Sequence, residues 1–182
     1  MGRGRVIEKQ REQINQQGTD SAHTGVEGQA SCPPEWTQFG SRCFRFNIGP
    51  KTWPDAESFC HTAGGNLASI HSDEEHIFIR NYIHQVSGAY KLSWIGGTDS
   101  VKEGTWMWTD GSKFHYKSFY VGEPNNCCGG ENCLVMNSGG ENWNDAGWTY
   151  QASFVSKNTF FNAGQSDNVG GENCLEMNFE GK

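Results

Sequence analysis

The chain has 182 residues and a net charge of −7, which leaves room for one domain with a core plus tails. The acidic balance argues against a nucleic-acid partner, and no apolar run reaches the roughly 18 residues of a membrane span. Seven cysteines indicate an oxidising, extracellular compartment. Because the count is odd, at least one cysteine is free or bonded outside the chain, which would allow an oligomer.

The N-terminal segment, residues 1–31, is polar and is predicted to be disordered or weakly helical. It begins with basic residues but contains no apolar stretch that resembles a secretion signal. This conflicts with the compartment that the cysteines indicate. We therefore expect either that the start is incomplete or altered, or that the secretion signal lies elsewhere.

The first predicted elements are a hairpin and two helices. Cys32 and Cys43 flank short aromatic segments, a pattern typical of a disulfide-closed hairpin. A first helix is indicated by Pro54 near its start and by helical spacing of Trp53, Ala56 and Cys60. A second helix is predicted from the capping box Ser72/Glu75, followed at helical spacing by Ile79, Ile83 and Val86.

Beyond residue 97 the helical pattern stops. Aromatic residues alternate at 105–108, and Asp110-Gly111 marks a turn, so this half is predicted to consist of strands and long loops. Its tryptophans are interpreted as core residues, with Trp143 as the one that could also stack on a ligand. His71 and His76 are expected at the surface.

Oxygen-bearing side chains are concentrated between residues 123 and 145. They are three carboxylates and two carboxamides: Glu123, Asn125, Glu131, Asn144 and Asp145. Hard cations such as Ca²⁺ take six to eight oxygen ligands, so this set suits calcium better than zinc or copper. A surface calcium ion keeps positions that paired hydroxyls can fill, so a sugar-binding site is the leading hypothesis. A cis bond before Pro124 would turn both flanking side chains toward one ion.

Several motifs, taken together in this order, resemble the C-type lectin domain family. They are Cys32-Pro33, Trp53 with Cys60, residues 66–70, residues 94–97, Glu123-Pro124-Asn125, Glu131-Asn132-Cys133 and Trp143-Asn144-Asp145. The resemblance spans about residues 32–156, and within the family it is nearest to fish ladderlectin-like lectins and type II antifreeze proteins. It implies an α+β fold in which two helices flank antiparallel sheets and a long loop region carries calcium. Residues 157–182 would form a tail.

The resemblance also implies a function. The family's calcium and sugar ligands correspond to Glu123, Asn125, Glu131, Asn144 and Asp145, with the Asp145 carbonyl as a further ligand. In the family, Glu-Pro-Asn accompanies mannose-type sugars and Gln-Pro-Asp accompanies galactose. We therefore expect a secreted, calcium-dependent, mannose-type lectin without catalytic residues, acting in glycan recognition and innate defence. The alternatives are an ice-binding antifreeze-like protein and a calcium-independent protein-binding domain.

The cysteines depart from the family pattern. Trp148 and Ser156 stand where the resemblance expects the disulfide partners of Cys133 and Cys60. Losing one disulfide typically costs roughly 2–5 kcal/mol. Compensation could come from Cys127-Cys128 or from Cys174, which lies in a tail segment, residues 170–178, that repeats residues 129–137 with one change. We expect this half-repeat to form no second site, because it lacks strands to bury a core.

Overall fold

The computed structural model describes residues 32–127 and 129–159. The predictions made for residues 1–31, for Cys128 and for the tail repeat with Cys174 lie outside the described residues. None of the helices within the described ranges is both long and apolar enough to cross a membrane.

The fold combines two helices with short strands, as expected of an α+β domain. The helices are α1 (Trp53–Thr62) and α2 (Asp73–Ser87). The strands are β1 (Thr37–Phe39), β2 (Arg42–Lys51), β3 (Asn66–Leu67), β4 (Ser93–Thr98), β5 (Met107–Trp108), β6 (Cys133–Met136), β7 (Trp143–Ala146) and β8 (Ala152–Asn158).

The strands pair in the order β1-β2-β8-β4-β6-β7, with β3 added to β8 and β5 added to β4. The other strand pairs are antiparallel, as expected, whereas β4 and β8 run parallel. These two strands are joined through residues 99–151, so no tight hairpin forces them to run in opposite directions. The long connection contains the loop with the candidate calcium ligands.

Both predicted helices are present, and local chemistry explains where they begin. Thr52 caps α1 and Pro54 lies in its first turn, where proline is tolerated. Ser72 caps α2 by accepting a hydrogen bond from the Glu75 amide (3.2 Å). Of the three residues whose spacing predicted α2, Ile79 and Ile83 are buried, whereas the side chain of Val86 is 45% exposed, because burial along α2 ends at Ile83, one turn before the helix does.

The Cys32–Cys43 disulfide is confirmed, and it ties the start of the domain to the β1–β2 hairpin. Two buried clusters pack on opposite faces of the sheet, since neighbouring strand residues such as Trp94 and Ile95 belong to different clusters. One contains the inner face of α2 and four aromatic residues, Phe44, Phe46, Trp108 and Trp143. The other contains the inner face of α1 together with Trp94 and Phe154. The interpretation of the tryptophans as core residues therefore holds for Trp94, Trp108 and Trp143, while Trp106 is only partly buried.

Gly96 and Gly97 in β4 are required by close packing. A Cβ atom at Gly96 would lie 2.6 Å from the Leu67 carbonyl oxygen, and one at Gly97 would overlap the Leu134 side chain. Side chains larger than hydrogen at these positions would push β4 away from β3 and β6. The Trp-Ile-Gly-Gly motif therefore reflects a packing requirement of the sheet.

Cys60 and Cys133 are buried thiols without a disulfide in the part of the chain that the structure describes. Burial raises the pKa of each thiol to about 12, so neither is a reactive thiolate at neutral pH. The Cys60 sulfur lies 2.9 Å from the Ser156 hydroxyl oxygen. Because both thiols are buried, a cysteine from another part of the chain could reach either of them only if the core opened.

Candidate functional site

The loop that begins at Tyr120 carries the first two candidate ligands. The Glu123 amide donates to the Tyr120 carbonyl (3.0 Å), which closes a turn before Pro124. The Glu123–Pro124 peptide bond is cis, as the sequence predicted. The side chains on either side of the proline come together, since Asn125 Nδ2 donates to Glu123 Oε1 (2.9 Å).

Asp145 on β7 is the centre to which this loop is attached. Its side chain is 1% exposed, and its two oxygens accept from the backbone amides of Asn125 (3.1 Å) and Asn126 (2.7 Å). Asn144 precedes it on the same strand, and β7 pairs with β6, whose N-terminal end follows Glu131. The antiparallel β6–β7 pair therefore brings the predicted residues from positions 123–131 and 144–145 to one edge of the sheet.

The three carboxylates of this group repel one another. Burial raises the pKa of Glu123, and contact with Asp145 raises it further. Burial and the charge of Asp145 likewise raise the pKa of Glu131, against a hydrogen bond from the Cys127 backbone. A cation among these side chains would relieve the repulsion, because opposite charge favours the ionised form of a carboxyl group.

Two oxygen atoms of the group are buried without a hydrogen-bond partner among the described residues. They are Glu123 Oε2 and Asn144 Oδ1. Buried polar oxygens are costly to leave unpaired, so orphaned oxygens near three carboxylates fit a bound hard cation. No three His, Cys, Asp or Glu side chains within residues 32–127 and 129–159 form a metal-binding group by themselves. A cation here would therefore depend on the carboxamide oxygens of Asn125 and Asn144 as well.

Trp143 is the first residue of β7 and anchors this strand in the core. Its ring is fully buried and packs edge-on against Trp108, Tyr116 and Phe119. Its indole Nε1 donates to Nδ1 of His76 (3.0 Å). The burial of Trp143 removes it as a stacking platform for a ligand, and it positions the strand instead.

The expectation that His76 lies at the surface is wrong. Its side chain is 5% exposed, and its second ring nitrogen is 2.8 Å from the Glu141 carbonyl oxygen. Because Nδ1 accepts from Trp143, Nε2 carries the proton and donates to Glu141, which defines a neutral imidazole. Its partners are distant in sequence, so helical spacing alone did not reveal the burial. His71, in contrast, is half-buried at the N-terminal side of α2.

We predict that His76 makes the fold sensitive to acid. Burial lowers the pKa of His76, and the charge of Arg80 lowers it further, against the hydrogen bond to the Glu141 carbonyl. The unfolded chain therefore takes up this proton first. The stability associated with His76 is complete above about pH 6.5 and is lost as pH falls below that value.

The test compares wild type with His76→Gln, whose carboxamide can accept from Trp143 and donate to the Glu141 carbonyl without titrating. Chemical denaturation between pH 7 and pH 5 should show a steeper loss of unfolding free energy for wild type. His71, whose pKa burial also lowers, is present in both proteins and cancels from the difference. Parallel pH profiles would refute the role of His76.

Sequence reasoning assigned no role to four polar residues that surround the loop. Asp99 and Glu103 lie in the turn after β4, while Asn126 and Asn132 directly follow the predicted ligands Asn125 and Glu131. Each asparagine donates a hydrogen bond to one of the two acids. In sequence, asparagine in a glycine-rich loop is typical of any turn, so only its position beside a proposed ligand could have drawn attention to it.

Comparison with known proteins agrees with this architecture. The family model of the lectin C-type domain matches residues 49–158. The chain belongs to the C-type lectin domain family. The galactose-specific lectin nattectin of Thalassophryne nattereri is 48% identical over 126 residues, which cover 69% of this chain and 79% of nattectin. Ladderlectin of Oncorhynchus mykiss is 40% identical over 148 residues, which cover 80% of this chain and 78% of ladderlectin.

The fold comparison places an antifreeze protein beside the lectins. The structure of herring type II antifreeze protein superposes with a TM-score of 0.67 at 35% identity, over 71% of this C-type lectin chain and all of the antifreeze protein. The predicted family and fold class are therefore confirmed. The same fold occurs in a protein named as a galactose-specific lectin and in one named as an antifreeze protein. The function of this member therefore depends on its own loop residues.

Proposed function

We propose that this C-type lectin domain is an extracellular, non-catalytic glycan-binding module whose sugar site depends on calcium. Glu123, Asn125, Glu131, Asn144 and Asp145 would hold the ion. The observation that carries the proposal is the pair of buried, unpartnered oxygens on Glu123 and Asn144 beside three mutually repelling carboxylates. When bound, calcium would offer open coordination positions to two neighbouring sugar hydroxyls.

The side chains of the site would also contact the sugar directly. Ionised carboxylates accept hydrogen bonds from hydroxyl protons, while the Nδ2 groups of asparagines donate to hydroxyl oxygens. An acid and an amide flank Pro124 in the order Glu123, Asn125, and this order determines which sugar oxygen receives a proton donor. Neighbouring hydroxyls differ in orientation between mannose and galactose, so the order bears on sugar preference.

We propose a preference for mannose-type sugars, in a role such as recognition of microbial surfaces. The support is the order of Glu123 and Asn125, which in the family accompanies mannose. The similarity to nattectin, named as galactose-specific, points the other way. We give more weight to the two side chains that flank the proline, because overall identity mostly reflects the shared framework.

The test uses a column carrying many mannose groups, because affinity for one sugar is expected to be weak, on the order of millimolar. Wild type should be retained in calcium, released by EDTA and displaced by free mannose more readily than by galactose. The variant Glu123→Gln/Asn125→Asp should bind mannose at least about tenfold more weakly, the loss expected from misplaced hydrogen bonds, and should gain affinity for galactose.

The matched control is Glu141→Gln/Asn142→Asp, which makes the same exchange of acid and amide in the neighbouring loop and leaves the net charge unchanged. It should bind mannose like wild type. Unchanged mannose binding by the 123/125 variant would refute the assignment of these two residues. Wild-type retention on galactose in place of mannose would refute the proposed preference but not calcium dependence.

Ice binding is the second candidate function, favoured by the similarity to herring antifreeze protein over that protein's full length. We place it second because the three mutually repelling carboxylates favour a bound cation, which ice does not supply and a calcium-dependent sugar site does. A solution of the same purified protein should show no thermal hysteresis, with or without calcium. Hysteresis without sugar binding would reverse the order of the two candidates.

A further inference from the structure

A cleft of about 320 Å³ lies beside the second half of β2, and none of the proposed calcium ligands lines it. Strand β1 pairs only with residues 42–44 of β2, so within the described chain residues 45–51 have a neighbouring strand on one side only, which is β8. The register between β2 and β8 also shifts between Asn47 and Lys51. The cleft therefore lies at an irregular, open edge of the sheet.

Apolar side chains form the walls of this cleft. Phe154 of β8 is 1% exposed and packs edge-on against Phe59 of α1, with the ring centroids 5.4 Å apart. Phe59 is nevertheless 37% exposed, and Ile48 is 49% exposed. Single exposed apolar side chains are ordinary at a protein surface, but here two of them line one concave space together with a buried ring. Such a space suits the apolar part of a small ligand.

The charge of the cleft is positive, in a chain whose net charge is −7. The described residues that line it include Arg45 and Lys51 but no carboxylate. Arg45 pairs with Glu35 (2.9 Å), which does not line the cleft, and both side chains are exposed enough for solvent to weaken this pair. Lys51 forms no ion pair with a residue in the described ranges, and its ammonium nitrogen lies 5.6 Å from the centroid of the Phe59 ring. A ligand whose apolar part covers Phe59 would therefore place an anionic end beside Lys51.

We propose that this cleft binds a small anionic amphiphile, a free molecule with a short apolar body and one carboxylate, independently of calcium and of sugar. The body would pack on Ile48, Phe59 and Phe154, and the carboxylate would form a charge-assisted contact with Lys51. A membrane surface fits less well. Recognition of anionic lipid relies on clusters of about four to eight Lys or Arg, whereas this cleft has two such residues in an acidic chain.

The test uses probes that share one alkyl chain and differ in charge. Octanoate is anionic at neutral pH, 1-octanol is neutral and octylamine is cationic. In NMR titrations, octanoate should shift the backbone amide signals of Gly49 and Phe59 and leave that of Glu131 unchanged. It should bind at least about tenfold more tightly than octanol, the gain expected from one charge-assisted contact, and octylamine should bind more weakly than octanol. These results should be the same in calcium and in EDTA.

Two substitutions separate the charge of the cleft from its apolar walls. Lys51→Gln should weaken octanoate binding about tenfold and leave octanol binding unchanged, because only the ammonium charge is lost. Gly49→Leu should weaken the binding of both probes by narrowing the cleft. It should leave the melting temperature unchanged, since a Cβ atom at this position would meet no atom of a non-neighbouring residue within 4 Å. The matched control is Lys117→Gln, which removes an exposed cation between β5 and β6 and should bind octanoate like wild type.

Four results would overturn the proposal. Equal affinity for octanoate and octanol, or unchanged octanoate binding by Lys51→Gln, would remove the role of the cation. Loss of octanoate binding in EDTA would place the carboxylate on a calcium ion instead of in the cleft. Binding to vesicles that contain phosphatidylglycerol, without binding to free octanoate, would identify a membrane surface. None of these measurements depends on mannose, so failure of the proposed sugar site and failure of the cleft are distinguishable.

Discussion

Replacing Ser156 by cysteine should create a disulfide with Cys60 and stabilise the domain. The hydroxyl oxygen of Ser156 lies 2.9 Å from the Cys60 sulfur, and both residues are buried. A sulfur at position 156 would reach closer, because a C–S bond is longer than a C–O bond. Position 156 is also where the family resemblance expects a cysteine, so a sulfur atom there would face the Cys60 sulfur.

The expected gain is large because the closed loop is long. A bridge between residues separated by 96 positions removes chain entropy from the unfolded state worth about 4–5 kcal/mol. Loss of the hydrogen bond from Asn47 Nδ2 to the Ser156 hydroxyl (2.9 Å) offsets about 1 kcal/mol. A net gain near 3 kcal/mol should raise the melting temperature by on the order of 10 °C.

Thiol counting and thermal melts check this result together. Under denaturing, non-reducing conditions, Ser156→Cys should carry one reactive thiol fewer than wild type. The control is Ser153→Cys on the same strand, since strand alternation places Ser153 on the face opposite to Ser156. That variant should carry one thiol more and melt no higher. A Ser156→Cys protein with an additional thiol and an unchanged melting temperature would contradict the prediction.

Local patterns in the sequence predicted the parts of this domain that depend on neighbouring residues. Proline near the start of α1, the Ser72 cap of α2, the cis Glu123–Pro124 bond and the Cys32–Cys43 pair follow from short-range chemistry, and each is present. The candidate ligands were identifiable because an acid and an amide flank one proline. Each of these features depends on a few residues close in the chain.

Features that join distant segments could not be predicted in this way. The burial of His76 depends on Trp143, 67 positions away, and the parallel β4–β8 pair depends on the path of the intervening chain. The hydrogen bond from Asn132 to Asp99, 33 positions earlier, could not be predicted for the same reason. Tertiary packing decides such contacts, and no local pattern encodes them.

Asp145→Asn should weaken calcium binding strongly while leaving the fold intact. Asp145 is the carboxylate that both anchors the loop and faces Glu123 and Glu131. An asparagine would accept from only one of the two loop amides and would turn a donor toward the other. That loss is partly offset in the metal-free protein, because the repulsion of Glu123 and Glu131 by Asp145 disappears. We therefore expect the calcium-free melting temperature to change little.

In calcium the same variant should behave very differently from wild type. Calcium affinity depends strongly on the number of charged ligands, so removal of one carboxylate should weaken binding by roughly 100-fold. At a calcium concentration of about 100 times the wild-type dissociation constant, wild type gains about 2.7 kcal/mol from binding, whereas the variant gains about 0.4 kcal/mol. Thermal melts with calcium and with EDTA measure this difference, and a calcium-dependent mannose column should no longer retain the variant.

Asp110→Asn distinguishes loss of a site from general damage. Asp110 is another carboxylate, whose side chain is 6% exposed; it is paired with Lys157 (2.8 Å) and hydrogen-bonded to Ser112, away from the loop. Burial alone would raise the pKa of Asp110, but hydrogen bonds from Lys157 and Ser112 outweigh it and hold the pKa well below the usual range. Its replacement should therefore lower the melting temperature equally with calcium and with EDTA. If Asp145→Asn showed that same pattern and kept its full response to calcium, Asp145 would be a structural residue and the ion would have to bind elsewhere.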